Sequence, residues 1–134
     1  MAARLLLEVV TPSRLVLSQM VEEVTAPGVR GEFGVLPGHT PFFTVLDAGQ
    51  LSFRSENKIQ RLAVSQGFVE VLPDRVSVLA EAAEFSYEID LDRAERAKAR
   101  AEERLKKLGD DEEGFYAATA ALKRALTRIQ VAGR

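Results

Sequence analysis

Six arginines in the last third of this 134-residue chain are the side chains best suited to chemistry. Arg93, Arg96, Arg100 and Arg104 step by three, four and four, and Arg124 and Arg128 repeat the four-residue step farther on. Residues three and four apart share a face of an α-helix, so each set reads as a cationic stripe. A guanidinium is a planar fork of donors that meets a phosphate or carboxylate with two bonds at once, and anion binding is the chemistry such stripes offer. The same pattern also fits a solvated, salt-bridged face, because Asp92–Arg96, Glu102–Lys106 and Glu103–Lys107 stand at the favourable i,i+4 spacing. Covalent chemistry is poorly served. His39, in Gly38-His39-Thr40, is the only histidine, and nothing points to a serine or threonine that would complete a nucleophile–base pair with it. Gly31-Glu32-Phe33-Gly34 lacks the length and the Lys-Ser/Thr ending of a phosphate-cradling loop. Its glycines read as a tight loop using positive φ. No His, Asp and Glu cluster has metal-ligand spacing.

Two helices must carry the arginines. From Leu91 the apolar positions Leu91, Ala94, Ala97, Ala101, Leu105 and Leu108 step by three and four, which is helical periodicity. Asp90 is placed to cap this helix, and Gly109 to stop it. Asp110-Asp111-Glu112-Glu113 sets acids at the start of a second helix, where the macrodipole favours them. Phe115, Ala118, Leu122, Ala125, Leu126 and Ile129 form its apolar stripe. A short connection makes the pair a hairpin. Much of its apolar face is alanine, which buries little area. At about 25 cal/mol per Å² such a seam should hold only weakly alone, which suggests an arm able to leave its docking place. The alternative is a hairpin permanently packed to complete the sandwich core.

The first part of the chain has another period. Leu5–Val10, Leu15–Leu17, Met20–Ala26, Phe42–Leu46, Leu51–Arg54, Ile59–Val64, Phe68–Leu72 and Val76–Ala80 are short strand-like runs. Between them lie turn signals: Thr11-Pro12-Ser13, Pro27-Gly28, Pro37-Gly38, Asp47-Ala48-Gly49, Ser55-Glu56-Asn57-Lys58, Gln66-Gly67 and Pro73-Asp74. This predicts an antiparallel β-sandwich over residues 1–86, followed by a C-terminal α-helical hairpin over 87–134.

Composition bounds the function. Hydrophobic residues make up 46% of the chain, enough for a core. No apolar run approaches the roughly 20 residues a membrane span needs, and Leu5-Leu6-Leu7 is cut short by Glu8, so no signal peptide is expected. A net charge of −2 gives no general attraction to nucleic acid or anionic lipid. There is no cysteine for a disulfide or thiolate site.

With these elements in place, Gly31-Glu-Phe-Gly-Val-Leu-Pro-Gly-His39-Thr-Pro resembles a signature loop of the epsilon subunits of rotary F-type ATP synthases. Gly67-Phe-Val-Glu-Val71, followed by Pro73-Asp74-Arg75-Val76, is similar to the strand pair that closes their sandwich, and Val9-Val10-Thr11-Pro12 to its opening. The resemblance spans essentially the whole chain. It implies a ten-stranded sandwich that binds the gamma subunit and sits on the c-ring, with Glu32 and His39 near the ring's polar loops. It implies two helices that fold against the sandwich or extend into the hexamer of alpha and beta subunits, inhibiting ATP hydrolysis. Such a subunit is non-catalytic. It meets the membrane only through the complex, on the cytoplasmic face of a bacterial inner membrane or the stromal face of a thylakoid.

The family's nucleotide-sensing motif, Ile/Leu-Asp-x-x-Arg-Ala, stands here as Ile89-Asp90-Leu91-Asp92-Arg93-Ala94. By resemblance Glu84, Asp90, Arg93, Arg100, Arg124 and Arg128 match positions that hold ATP, as a regulatory ligand and not a required cofactor. Asp92 adds a carboxylate that could compete for Arg93 or Arg96. Two further readings remain at this stage: a free-standing nucleotide-sensing module, and a helical adaptor for an acidic partner.

Overall fold

A computed structural model describes residues 3–133. The chain divides into two compact units, the first ending at Phe85 and the second starting at Ser86.

The first unit is a β-sandwich. Its strands are β1 (Leu5–Val10), β2 (Leu15–Val21), β3 (Glu23–Gly28), β4 (Gly31–Val35), β5 (Phe42–Leu46), β6 (Gly49–Ser55), β7 (Lys58–Leu72) and β8 (Arg75–Phe85). The ladder runs β2-β1-β8-β7-β5-β3-β4, and β6 pairs with both β3 and β7. Every pairing is antiparallel except β1 with β8. Across that parallel pair Arg75 donates to Glu8, and the Glu8 hydrogen bond, helped by its charge, raises the Arg75 pKa.

Alternation builds the core. Along β1, Leu5, Leu7 and Val9 are fully buried while Leu6, Glu8 and Val10 are half-exposed, because successive strand side chains point to opposite faces. One cluster collects Phe53, Leu46, Leu51, Val24 and Val35 with residues of β1, β2, β7 and β8, and all of it lies between Leu5 and Phe85.

The strands depart from the sequence expectations in physical detail. Eight strands form among the described residues where the resemblance implied ten. The run expected to break near Ser18 and Gln19 instead continues to Val21, with the break at Glu22. Pro27-Gly28 is not a turn: Pro27 pairs with Glu32 and Gly28 with Gly31, so the two-residue turn is Val29-Arg30. Gly31–Gly34, expected as a tight loop, belongs to β4, although Gly31 does use φ +121° at its start. The Ser55–Lys58 turn holds, with Glu56 and Asn57 both at positive φ, as in a type I′ hairpin.

The largest correction is β7. Ile59–Val64 and Phe68–Leu72 are parts of one 15-residue strand. Its first half pairs with β6, its second with β5, and β8 accompanies it from Leu62 to Leu72. At Gln66-Gly67 the ladder skips a pair: Ser65 faces Ala82 and Gly67 faces Ala80. The inward residues change phase there, from Leu62 and Val64 to Val69 and Val71.

In the second unit a 3₁₀ turn (Ser86–Glu88) leads into α1 (Leu91–Lys107) and α2 (Glu112–Ala132). Asp90 caps α1, its Oδ1 accepting from the Arg93 N–H at 3.1 Å. Asp111 caps α2 in the same way, through the Gly114 N–H at 3.0 Å. Gly109 follows the last residues of α1 at φ +57°, the left-handed conformation that ends helices. No helix is long and apolar enough to cross a membrane among the described residues.

Candidate functional site: the arginine edge of the hairpin

The helices pack together, and the four residues between them make the pair antiparallel. Ala94 and Ala101 are the buried residues of α1; α2 buries Ala118, Ala125, Thr127 and Val131. Both alanine pairs are spaced by seven, the repeat that keeps one seam facing a partner helix. Ala101 stands six residues before the end of α1, and Ala118 six after the start of α2. Ala94 and Ala125 stand thirteen from the same ends. The seam therefore sets Ala101 beside Ala118 and Ala94 beside Ala125. The apolar stripes are narrower than expected. Leu91, Phe115 and Leu126 are 42%, 52% and 44% exposed, so they lie off the seam.

The seam supplies a reference face for the arginines. An antiparallel pair has a two-fold relation that places equal offsets from the seam on the same edge. At about 100° per residue, positions one before and three after a seam residue fall together on one flank. On α1 these positions are Arg93, Ala97, Arg100 and Arg104; on α2 they are Ala117, Ala121, Arg124 and Arg128. One edge of the hairpin thus carries only arginine and alanine at its eight flank positions. Arg93, Arg124 and Arg128 occupy nearly one level. Arg100 lies about 10 Å farther toward the turn, at 1.5 Å rise per residue.

This corrects the stripe read from spacing alone. Arg96 stands two positions past Ala94 and faces away from the edge, whereas Arg104 belongs to it. Offset from the buried alanines is the signal that excludes Arg96 and keeps Arg104, and it needs the seam to be known. Arg93, Arg100 and Arg104 are exposed, and Arg124 and Arg128 are half-buried. Among the described residues Arg93, Arg100, Arg104 and Arg124 form no ion pair. Of the three expected i,i+4 pairs only Glu103–Lys107 closes, at 3.4 Å. Asp92 does not engage Arg93 or Arg96. Arg93, Arg100, Arg104 and Arg124 are therefore guanidiniums without an ion-pair partner among the described residues.

The other sequence-selected residues are placed elsewhere. Asp90 starts α1, and its carboxylate is shared with the cap. Glu84 stands on β8 in the sandwich unit, opposite Ala63 of β7. Glu32 is exposed on β4. His39 is half-buried in the following loop, and its Nδ1 lies 2.6 Å from the Thr40 carbonyl oxygen, to which it donates. No group of three or more His, Cys, Asp or Glu able to hold a metal occurs among the described residues.

A sandwich followed by a helical hairpin with an arginine-lined edge defines a class, and comparison with known proteins names it. The family described as "ATP synthase, Delta/Epsilon chain, beta-sandwich domain" matches residues 4–86, and its companion "long alpha-helix domain" matches 88–133. The chain belongs to the ATP synthase delta/epsilon family, whose members are non-catalytic subunits of that complex. It is 52% identical to the ATP synthase epsilon chain of Geotalea daltonii, an alignment that takes in 100% of this chain and 97% of the relative. It is 50% identical, with the same coverage, to the epsilon chain of Trichlorobacter lovleyi. Its fold is shared with a chain of the Euglena gracilis mitochondrial ATP synthase: TM-score 0.84, 24% identity, 98% of this chain and 82% of that one covered.

Proposed function

We propose that this chain is a coupling and regulatory subunit of the central stalk of a bacterial F-type ATP synthase. In this reading the sandwich binds the gamma subunit and rests on the c-ring through the surface bearing Glu32 and His39. Through these partners the chain is held at the cytoplasmic face of the inner membrane. The hairpin, when extended, meets the alpha and beta subunits and impedes hydrolysis. ATP binds the folded hairpin as a regulatory signal. Arg93, Arg100, Arg124 and Arg128 hold its phosphates, while Asp90 and Glu84 accept from its ribose or base.

The observation that carries the nucleotide part is the edge made only of arginine and alanine. Guanidiniums from two helices converge at one level, and a polyphosphate bridging them would oppose separation of α1 from α2. Alanine packing leaves the seam little apolar area to resist that separation by itself. A ligand that binds one arrangement of the arm shifts the population toward it by mass action.

Titration calorimetry on the full chain tests the site. Arg93→Ala and Arg124→Ala should each weaken ATP by about 1.5–3 kcal/mol, the worth of a hydrogen bond to a charged group. Unchanged affinity in both variants, or no binding at millimolar ATP, overturns it. In the assembled enzyme, removal of residues 88–134 should raise the rate of ATP hydrolysis. A truncated enzyme no faster than the intact one excludes an inhibitory arm.

A further inference from the structure

Two polar side-chain atoms of the sandwich are shielded from solvent and have no hydrogen-bond partner among the described residues: Oε1 of Gln50, on β6, and Oγ of Ser65, on β7. Ser65 is only 4% exposed. A buried polar group without a partner is destabilising, so such positions ordinarily hold apolar side chains or receive a bond from elsewhere. Strand register sets both residues on one face. Leu62 and Val64 belong to the core, so Ala63 and Ser65, which alternate with them, point to the other side of the strand. On that side Gln50 stands opposite Ala63, Ala63 opposite Glu84, and Ser65 opposite Ala82. Ala63 and Ala82 leave only methyl groups in the middle of a patch bordered by Gln50, Ser65 and Glu84. Adjacent strands lie about 4.8 Å apart, which puts the Gln50 and Glu84 backbones about 10 Å from each other across Ala63. Ser65 is about 7 Å farther along β7 from Ala63. These spans match the edge of a purine held between side chains.

We infer that Gln50 and Ser65 complete the base end of the nucleotide site and select adenine. The inference rests on the nucleotide reading, in which Glu84 already accepts from the ribose or base. Adenine presents a ring-nitrogen acceptor beside an exocyclic amine donor, whereas guanine presents a carbonyl oxygen where adenine has the amine. The Gln50 oxygen and the Glu84 carboxylate are both acceptors, so they favour the amine and oppose the carbonyl. The Ser65 hydroxyl is free to donate to the ring nitrogen. A site built to hydrogen-bond its ligand rejects an analogue that leaves the buried polar groups unpaired.

Calorimetric titration of the full chain with ATP and with inosine triphosphate, whose base carries a carbonyl in place of the amine, reads this selection. ATP should bind more tightly than inosine triphosphate. Ser65→Ala should weaken ATP by roughly three- to tenfold, the worth of one neutral hydrogen bond. It should leave the melting temperature of the unliganded chain unchanged or raised, because an orphaned hydroxyl has been removed. Gln50→Leu should weaken ATP by a similar factor and narrow the preference for ATP over inosine triphosphate, a change that altered packing alone does not produce. Unchanged ATP affinity in Ser65→Ala together with an unchanged preference in Gln50→Leu overturns the proposal and leaves the nucleotide reading standing. A melting temperature lowered by Ser65→Ala with ATP affinity intact also overturns it, since the hydroxyl would then hold a structural water only. Failure of the unsubstituted chain to bind either nucleotide overturns the nucleotide reading and this inference with it.

Discussion

Gly67 is held by its neighbours more than by its own preferences. At φ +153° it occupies backbone space that other residues rarely enter, and a Cβ there would lie 1.7 Å from the Leu79 carbonyl oxygen. That oxygen belongs to the β7–β8 ladder, so relief would require the two longest strands of the sandwich to part. Gly67→Ala should destabilise the sandwich by at least about 3 kcal/mol, the scale of combined strain and overpacking, or prevent folding. Urea denaturation followed by circular dichroism measures this. A loss below about 1 kcal/mol would mean that the backbone at Gly67 relaxes easily. The sequence marked Gln66-Gly67 correctly as unusual but read it as a turn. Glycine marks both a turn and a close backbone approach, and only the position of β8 distinguishes them.

Among the elements, the hairpin was the most legible, because its signals are local. The cap at Asp90, the acids that open the second helix, the stop at Gly109 and the period of three and four are all set within a few residues; that Asp111 is the one that caps α2 came from the structure. Asp111 allows the cap to be tested apart from ligand binding, since it is not among the nucleotide residues. Its Oδ1 accepts from Gly114, where an added Cβ would meet Asp111 Oδ2 and Leu108 Cδ2 at 2.6 Å. Asp111→Ala should lower hairpin stability by about 1 kcal/mol and leave ATP affinity nearly intact, whereas Asp90→Ala should affect both. Thermal melts of the two variants, read beside calorimetry, check this. Equal effects on ATP would remove Asp90 from the site. The arginine stripe was legible only in part. Spacing alone grouped Arg96 with Arg93, Arg100 and Arg104, since a stripe read without a reference face has no way to exclude a member.

At the scale of the whole molecule, the sandwich core is closed by residues between Leu5 and Phe85 alone. A chain ending at Ser86 should therefore fold cooperatively without the helices, with a single β-type thermal transition. Aggregation or an unfolded spectrum would show that the hairpin is part of the core. Independent folding of the sandwich is what the proposed regulation requires of it.

By itself the sequence determined the class: a β-rich first part and a helical second, their order, the cap at Asp90 and the motifs that resemble the ATP synthase family. Alternation, helical period and capping act over a few residues, so they are legible along the chain. The tertiary structure decided what depends on distant neighbours. β7 became one continuous strand because β6 and then β5 pair with it on one side while β8 pairs with it from Leu62 to Leu72. Five of the six arginines came onto one edge because seven-residue alanine spacing in two separate helices fixes how they face each other. An edge exists only between two packed elements, and neither helix alone specifies it.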